Sequence, residues 1–132
     1  MGHMSSYMRR GAGAALFAAS LAQAQSPPPP ARAQQYVYVL RVAPHLHDEA
    51  KWSAKDKAAT AQHMERLKKA AASGQVILAG RSSEPLDKTF GLVVFEADSD
   101  SAAKAFMNAD PAILAGVMSA TLHPYSVALQ RK

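Results

Sequence analysis

What most constrains this chain is the order in which its hydrophobic periodicity changes after Tyr36. Residues 36–43 (YVYVLRVA) are β-branched and aromatic, the character of a strand. Residues 53–73 switch to helical spacing. Ser53-Ala54-Lys55-Asp56 predicts a capping box, Thr60, Met64, Leu67 and Ala71 recur at helical intervals, and Lys68 and Lys69 sit near the negative end before Gly74. Residues 75–79 (QVILA) predict a second strand, residues 80–88 a polar loop containing Pro85, and residues 89–97 (TFGLVVFEA) a third strand that closes an antiparallel hairpin. A second helix is expected from Asp98 or Ser99 to near Asp110, with Ala102, Phe106 and Ala109 on one side. The alanine-rich stretch 112–118 adds a helical turn. Residues 121–129 (TLHPYSVAL) predict the last strand, where Pro124 demands an edge position or a bulge.

That order is β-α-β-β-α-β, the ferredoxin-like α+β arrangement of four strands covered on one face by two helices. In the first and third strands both alternating sets are apolar: Tyr36, Tyr38, Leu40 and Val42 against Val37 and Val39, and Phe90, Leu92 and Val94 against Val93 and Phe95. Two helices cover only one side, so the other calls for a partner sheet, and a homodimer with sheets face to face is expected. With 132 residues, 48% of them hydrophobic and 19% charged, the chain makes one globular domain, placed at residues 36–130, plus tails.

The segment before the domain has a different composition. Met1 to Met4 read as residues left by cloning. Met8, Arg9 and Arg10 supply a basic start, residues 11–21 (GAGAALFAASL) a short apolar run, and Ala22-Gln23-Ala24 a small-residue cleavage pattern. Residues 1–24 therefore predict a secretory leader cleaved after Ala24 and a periplasmic or secreted protein, with a chance alanine-rich leader on a cytoplasmic protein as the alternative. The apolar run is far shorter than the roughly 20 residues a spanning helix needs, so no stable membrane anchor is expected after cleavage. Residues 25–35, including Pro27 to Pro30, form a proline-rich linker.

Loss of Arg9 and Arg10 with the leader reduces the net charge of +5 to a mild excess. Lys51, Lys55, Lys57, Lys68 and Lys69 read as a solvated helix face without interleaved aromatics, which argues against nucleic-acid binding. The absence of cysteine excludes disulfides and zinc–cysteine sites, and no glycine-rich phosphate loop is present. No cofactor is called for. His45, His47 and Asp48 lack a third ligand at suitable spacing, so no metal site is assigned and a polar loop is the expectation.

Chemistry is concentrated in two other residues. His63 lies one position before Met64 and four before Leu67, at the border of the apolar face of its helix. Asp110 precedes Pro111, which disfavours helical conformation at that residue and holds the carboxylate in a turn. A carboxylate so placed could bond one imidazole nitrogen, fix the tautomer and leave the other nitrogen as general base or acid; a purely structural contact between the two groups is the competing reading. Trp52 reads as a hydrophobic staple before the Ser53 cap, and His123 and Tyr125 share a face of the last strand, suited to interface packing or to lining a pocket.

These residues carry a resemblance. His63-Met64-Glu65-Arg66-Leu67, then Gly74-Gln75-Val76-Ile77-Leu78-Ala79-Gly80, then Ala109-Asp110-Pro111-Ala112 with Ala115-Gly116-Val117 resemble the YciI-like (YCII-related) domain family over residues 36–129. The resemblance implies a dimeric α+β barrel with a His–Asp pair, here His63 and Asp110, in a cleft that takes a small molecule. It leaves the substrate open; a chlorinated-hydroquinone dehydrochlorinase is similar, and muconolactone isomerases share the barrel type. Where the usual pattern continues with proline or a simple small loop, this chain has Gly80-Arg81-Ser82-Ser83. Arg81, with Ser82 beside it, is the candidate anchor for an anionic substrate, or else Arg81 is a salt-bridge partner of Glu84 or Asp87. Two readings remain: an acid–base enzyme of lyase, isomerase or dehydrochlorinase type acting on a small anionic, aromatic or lactone-like metabolite, and a non-catalytic ligand-binding or accessory homodimer.

Overall fold

The structure, a computed structural model, describes residues 33–132. The expected leader and nearly all of the linker lie outside the described residues; Gln34 and Gln35, placed at the linker's end, open the first strand. The elements are β1 (Gln34–Val42), two short 3₁₀ turns (Pro44–Leu46 and Glu49–Lys51), α1 (Ala54–Ala72), β2 (Val76–Arg81), β3 (Phe90–Ala97), α2 (Asp100–Asn108), α3 (Pro111–Leu114) and β4 (Met118–Pro124). The four strands form one antiparallel sheet in the order β2-β3-β1-β4, the ferredoxin-like topology.

Local chemistry sets the ends of α1. Ser53 Oγ accepts from the Asp56 amide at 3.1 Å while Asp56 Oδ2 accepts from the Ser53 amide at 3.0 Å, the reciprocal box that the sequence predicts. These bonds hold the Asp56 carboxyl below the usual carboxylate range. At the other end Gly74 takes φ +89°, so its amide and that of Gln75 reach back to Ala71 and Ala70. Gly116, with φ +74°, ends α3 in the same way through Ile113 and Ala112. That stop shortens the helical turn expected over residues 112–118 and lets β4 begin at Met118.

Strand limits follow cross-strand pairing where they depart from the sequence reading. β4 runs from Met118, opposite Val42, to Pro124, opposite Tyr36, rather than over 121–129; it is an edge strand, and Pro124 closes it. β2 continues past Ala79, because Gly80 and Arg81 pair with Leu92 and Gly91. Its ladder carries a bulge: Val76 faces Phe95 and Leu78 faces Val94, so Ile77 is the extra residue. The bulge inverts the alternation after Val76. Val76 packs toward the helices, Leu78 turns to the outer face, and Ala79 and Arg81 turn back toward the helices.

The core lies between the sheet and the helices and is built on Tyr36, Tyr38, Leu40, Val93 and Phe95 against Leu67, Ala70, Ala103 and Met107. The ring centroids of Phe95 and Phe106 are 4.7 Å apart, and those of Tyr38 and Phe95 5.6 Å, in an edge-on contact. Both helices are rotated by one residue from the expected stripes. In α1 the buried positions are Ala59, His63, Leu67 and Ala70, while Met64 is 51% exposed. In α2 they are Ala103 and Met107, with Phe106 partly buried and Ala102 and Ala109 exposed. The rotation puts His63 on the inward line of α1 and brings Asp110, three residues after Met107, inside as well.

Candidate active site

Asp110 ends α2's turn and caps α3, with extended backbone (φ −63°, ψ 126°) as expected before Pro111. Its side chain accepts from the Ala112 amide at 2.9 Å, and it has no exposed surface (0%). His63 Nδ1 lies 2.8 Å from both Asp110 oxygens. Tyr38, from the middle of β1, donates its hydroxyl to Asp110 Oδ2 at 2.7 Å. Burial alone would push the Asp110 carboxyl up. Hydrogen bonds from His63 and Tyr38, attraction to His63 and the Ala112 amide together outweigh it and hold the group below the usual carboxylate range. An ionised carboxylate can only accept, so Nδ1 carries the proton toward Asp110, and Nε2 lies on the opposite side of the ring, where it offers a lone pair in the neutral ring and a proton in the charged one.

His63 also lines a cavity of about 380 Å³ between α1 and the β1–β3–β2 part of the sheet. Its walls are mostly apolar, with Leu40, Leu67 and Met118 among them, and Gly91 lies at its floor. A Cβ at Gly91 would come within 3.4 Å of Leu40, so the missing side chain keeps that floor low. Arg81 lines the same cavity, turned to it by the bulge at Ile77. No ion pair joins it to Glu84 or Asp87; among the described residues the ion pairs are His63–Asp110 and Lys68–Glu65.

The other sequence-selected residues lie elsewhere. Ser82 is outside the cavity lining: its Oγ accepts from the Phe90 amide at 3.0 Å and lies 3.2 Å from Thr89 Oγ1, tying the β2–β3 hairpin together. His47 donates from Nε2 to the Val42 carbonyl at 3.0 Å. Among the described residues no group of three or more His, Asp or Glu side chains is placed to hold a metal ion. Trp52 donates its indole N–H to the Leu46 carbonyl at 2.8 Å and packs on a small second cluster of Val42, Leu46, Ala59 and Val117. His123 is on the outer sheet face opposite Val37, with Nε2 3.1 Å from Thr121 Oγ1.

Two residues of the site escape a reading of the sequence. Tyr38 looks there like one more strand aromatic; the available signal is that a tyrosine in mid-core needs a partner for its hydroxyl. Arg66, three residues after His63, reads as a surface charge. In the fold its Nη2 donates to the Phe106 carbonyl at 2.8 Å, its guanidinium lies 4.2 Å from the Phe106 ring centroid, and Nη1 is buried without a partner.

An antiparallel α+β domain of ferredoxin-like topology, with a His–Asp pair sunk between helix and sheet beside an apolar cavity, is the class that fold and site define. The YCII-related domain model matches residues 37–122, and the chain belongs to that family. Comparison with curated proteins gives no match.

Proposed function

We propose that this protein is a small-molecule enzyme in which His63 and Asp110 perform general acid–base chemistry on a small anionic, aromatic or lactone-like metabolite. The observation that carries the reading is the Nδ1–carboxylate contact in a residue that also lines a cavity. Asp110 fixes the tautomer, and Nε2 takes a proton from, or returns one to, a ligand held against apolar walls. Arg81 supplies the anchor for a carboxylate or phenolate. The test is turnover and binding across a panel of small carboxylates, lactones, enols and halogenated phenols. At least one is expected to be consumed, and Arg81→Ala is expected to weaken its binding about tenfold, the effect of one partly solvated charge-assisted contact. If the wild type consumes none of the panel, the enzyme reading is overturned.

One observation favours the second reading, a non-catalytic ligand-binding or accessory homodimer. Asp110 also caps α3 and bonds Tyr38, so the pair has structural work independent of any reaction. Ligand bound without turnover is its signature.

In either case we propose a homodimer formed through the outer sheet face, where Val37, Val39, Leu78, Leu92 and Val94 align. Leu78 is 50% exposed there and Val39 and Leu92 are partly exposed, while Val37 and Val94 are already buried within the chain, so the part of the face that supports a missing cover is its Leu78 side. Leu78→Glu is expected to halve the mass measured by sedimentation while leaving helical content unchanged; an unchanged mass, or a monomeric wild type, refutes this interface. Export to the periplasm or beyond is also proposed, on the leader pattern at residues 8–24.

A further inference from the structure

The Tyr38 ring is packed as phenylalanines are packed elsewhere in this core, edge-on to Phe95 and 6.2 Å from the Phe106 centroid. Its hydroxyl adds nothing to that packing and goes to Asp110 Oδ2. The titratable and charged groups around the pair are Tyr38 from β1, His63 and Arg66 from α1 and Asp110 from the α2–α3 turn, with Arg81 of β2 on the cavity wall. Burial first, and then the bond to Asp110, push the Tyr38 phenol far above its ordinary range, with the Arg66 charge opposing. Tyr38 therefore keeps its proton at any working pH, and toward Asp110 it can only donate.

A carboxylate has a limited amount of negative charge to share among its donors. Each further donor makes it a weaker acceptor for the others. Here Oδ1 serves the Ala112 amide and His63, while Oδ2 serves Tyr38 and His63. We propose that Tyr38 is a positioning residue of the dyad: its hydroxyl fixes the rotation of the Asp110 carboxylate and takes up part of its charge, which sets how strongly Asp110 pulls on the His63 Nδ1 proton and so how basic Nε2 is at the cavity wall. The functional meaning rests on the acid–base reading of His63, but the test needs no substrate.

The full chain, labelled at aspartate and histidine, is followed by NMR as Tyr38→Phe. With one donor removed, the Asp110 carboxyl is expected to titrate higher by about half a pH unit or more, and the His63 Nδ1–H resonance to move downfield as that bond strengthens. A fluorinated tyrosine at position 38, a stronger donor of the same shape, is expected to move both signals the opposite way, and it carries the test should Tyr38→Phe fail to fold. If neither signal moves, Tyr38 only fills the core and the proposal is overturned. Opposed shifts with no substrate consumed would keep the coupling and remove the acid–base reading; turnover without the shifts would do the reverse.

Discussion

Asp110→Ala is expected to cost about 3–5 kcal/mol of stability, the usual result of removing one partner from a buried, hydrogen-bonded ion pair. The alanine leaves three donors without an acceptor inside the protein: the Tyr38 hydroxyl, His63 Nδ1–H and the Ala112 amide. It also removes the α3 cap, whose loss alone costs about 1 kcal/mol. Urea or thermal unfolding measures the sum, and a loss below about 1 kcal/mol would show that the buried network contributes little. The pH dependence has a definite sign. The folded-state carboxyl of Asp110 lies below its unfolded value of about 3.9, so its contribution is fully present above that value and disappears as pH falls through the lower, folded one. The part of the stability gap between wild type and Asp110→Asn that comes from the ionised carboxylate is therefore expected to narrow below about pH 4.

His63→Ala is expected to reduce turnover of any substrate found by about 10² to 10⁴, the range for loss of a general acid–base group. Alanine also strips a donor from buried Asp110, so a fall in rate could come from disturbed structure. His63→Gln separates the causes. Its side-chain amide can still donate toward Asp110 but cannot exchange a proton at neutral pH. The same rate loss is expected in His63→Gln with ligand affinity and melting temperature closer to wild type. If His63→Gln retains more than about a tenth of the wild-type rate, proton transfer at this ring is not the chemistry.

The element order was legible because each change of period is sharp: β-branched runs alternate with a capped, lysine-ended helix. The rotation of the helices was not. Alanines occupy almost every side of α1, so Ala59 and Ala70 offer no contrast with Ala58 and Ala71, and Met64 is as apolar as any core residue although half of it faces solvent. What turns the helix is contact with the rest of the fold: Leu67 packs into the core against the sheet, and His63 reaches Asp110 in the turn between α2 and α3. The candidate pair could be named from sequence because the Asp-Pro step has a local conformational consequence. Tyr38 could not be joined to it, since that contact spans 72 positions and depends on strand order and register. Arg81 was found, but the reason it faces the cavity was hidden: a bulge is a property of two strands, and local alternation in β2 alone points the arginine to the wrong side.

That bulge makes the charge of the chamber a matter of counting rather than chemistry. With the bulge ironed out and Ile77 taken into the ladder, strict alternation from Val76 would put Gly80 on the side facing α1 and the guanidinium on the face opposite the helices. A one-residue slip of register, with the sequence itself unchanged, would take the arginine off the sheet side of this cavity's wall and set a cation into the apolar face of the sheet. The place of Ile77 outside the ladder thus decides, as much as the arginine itself, what charge lines this cavity.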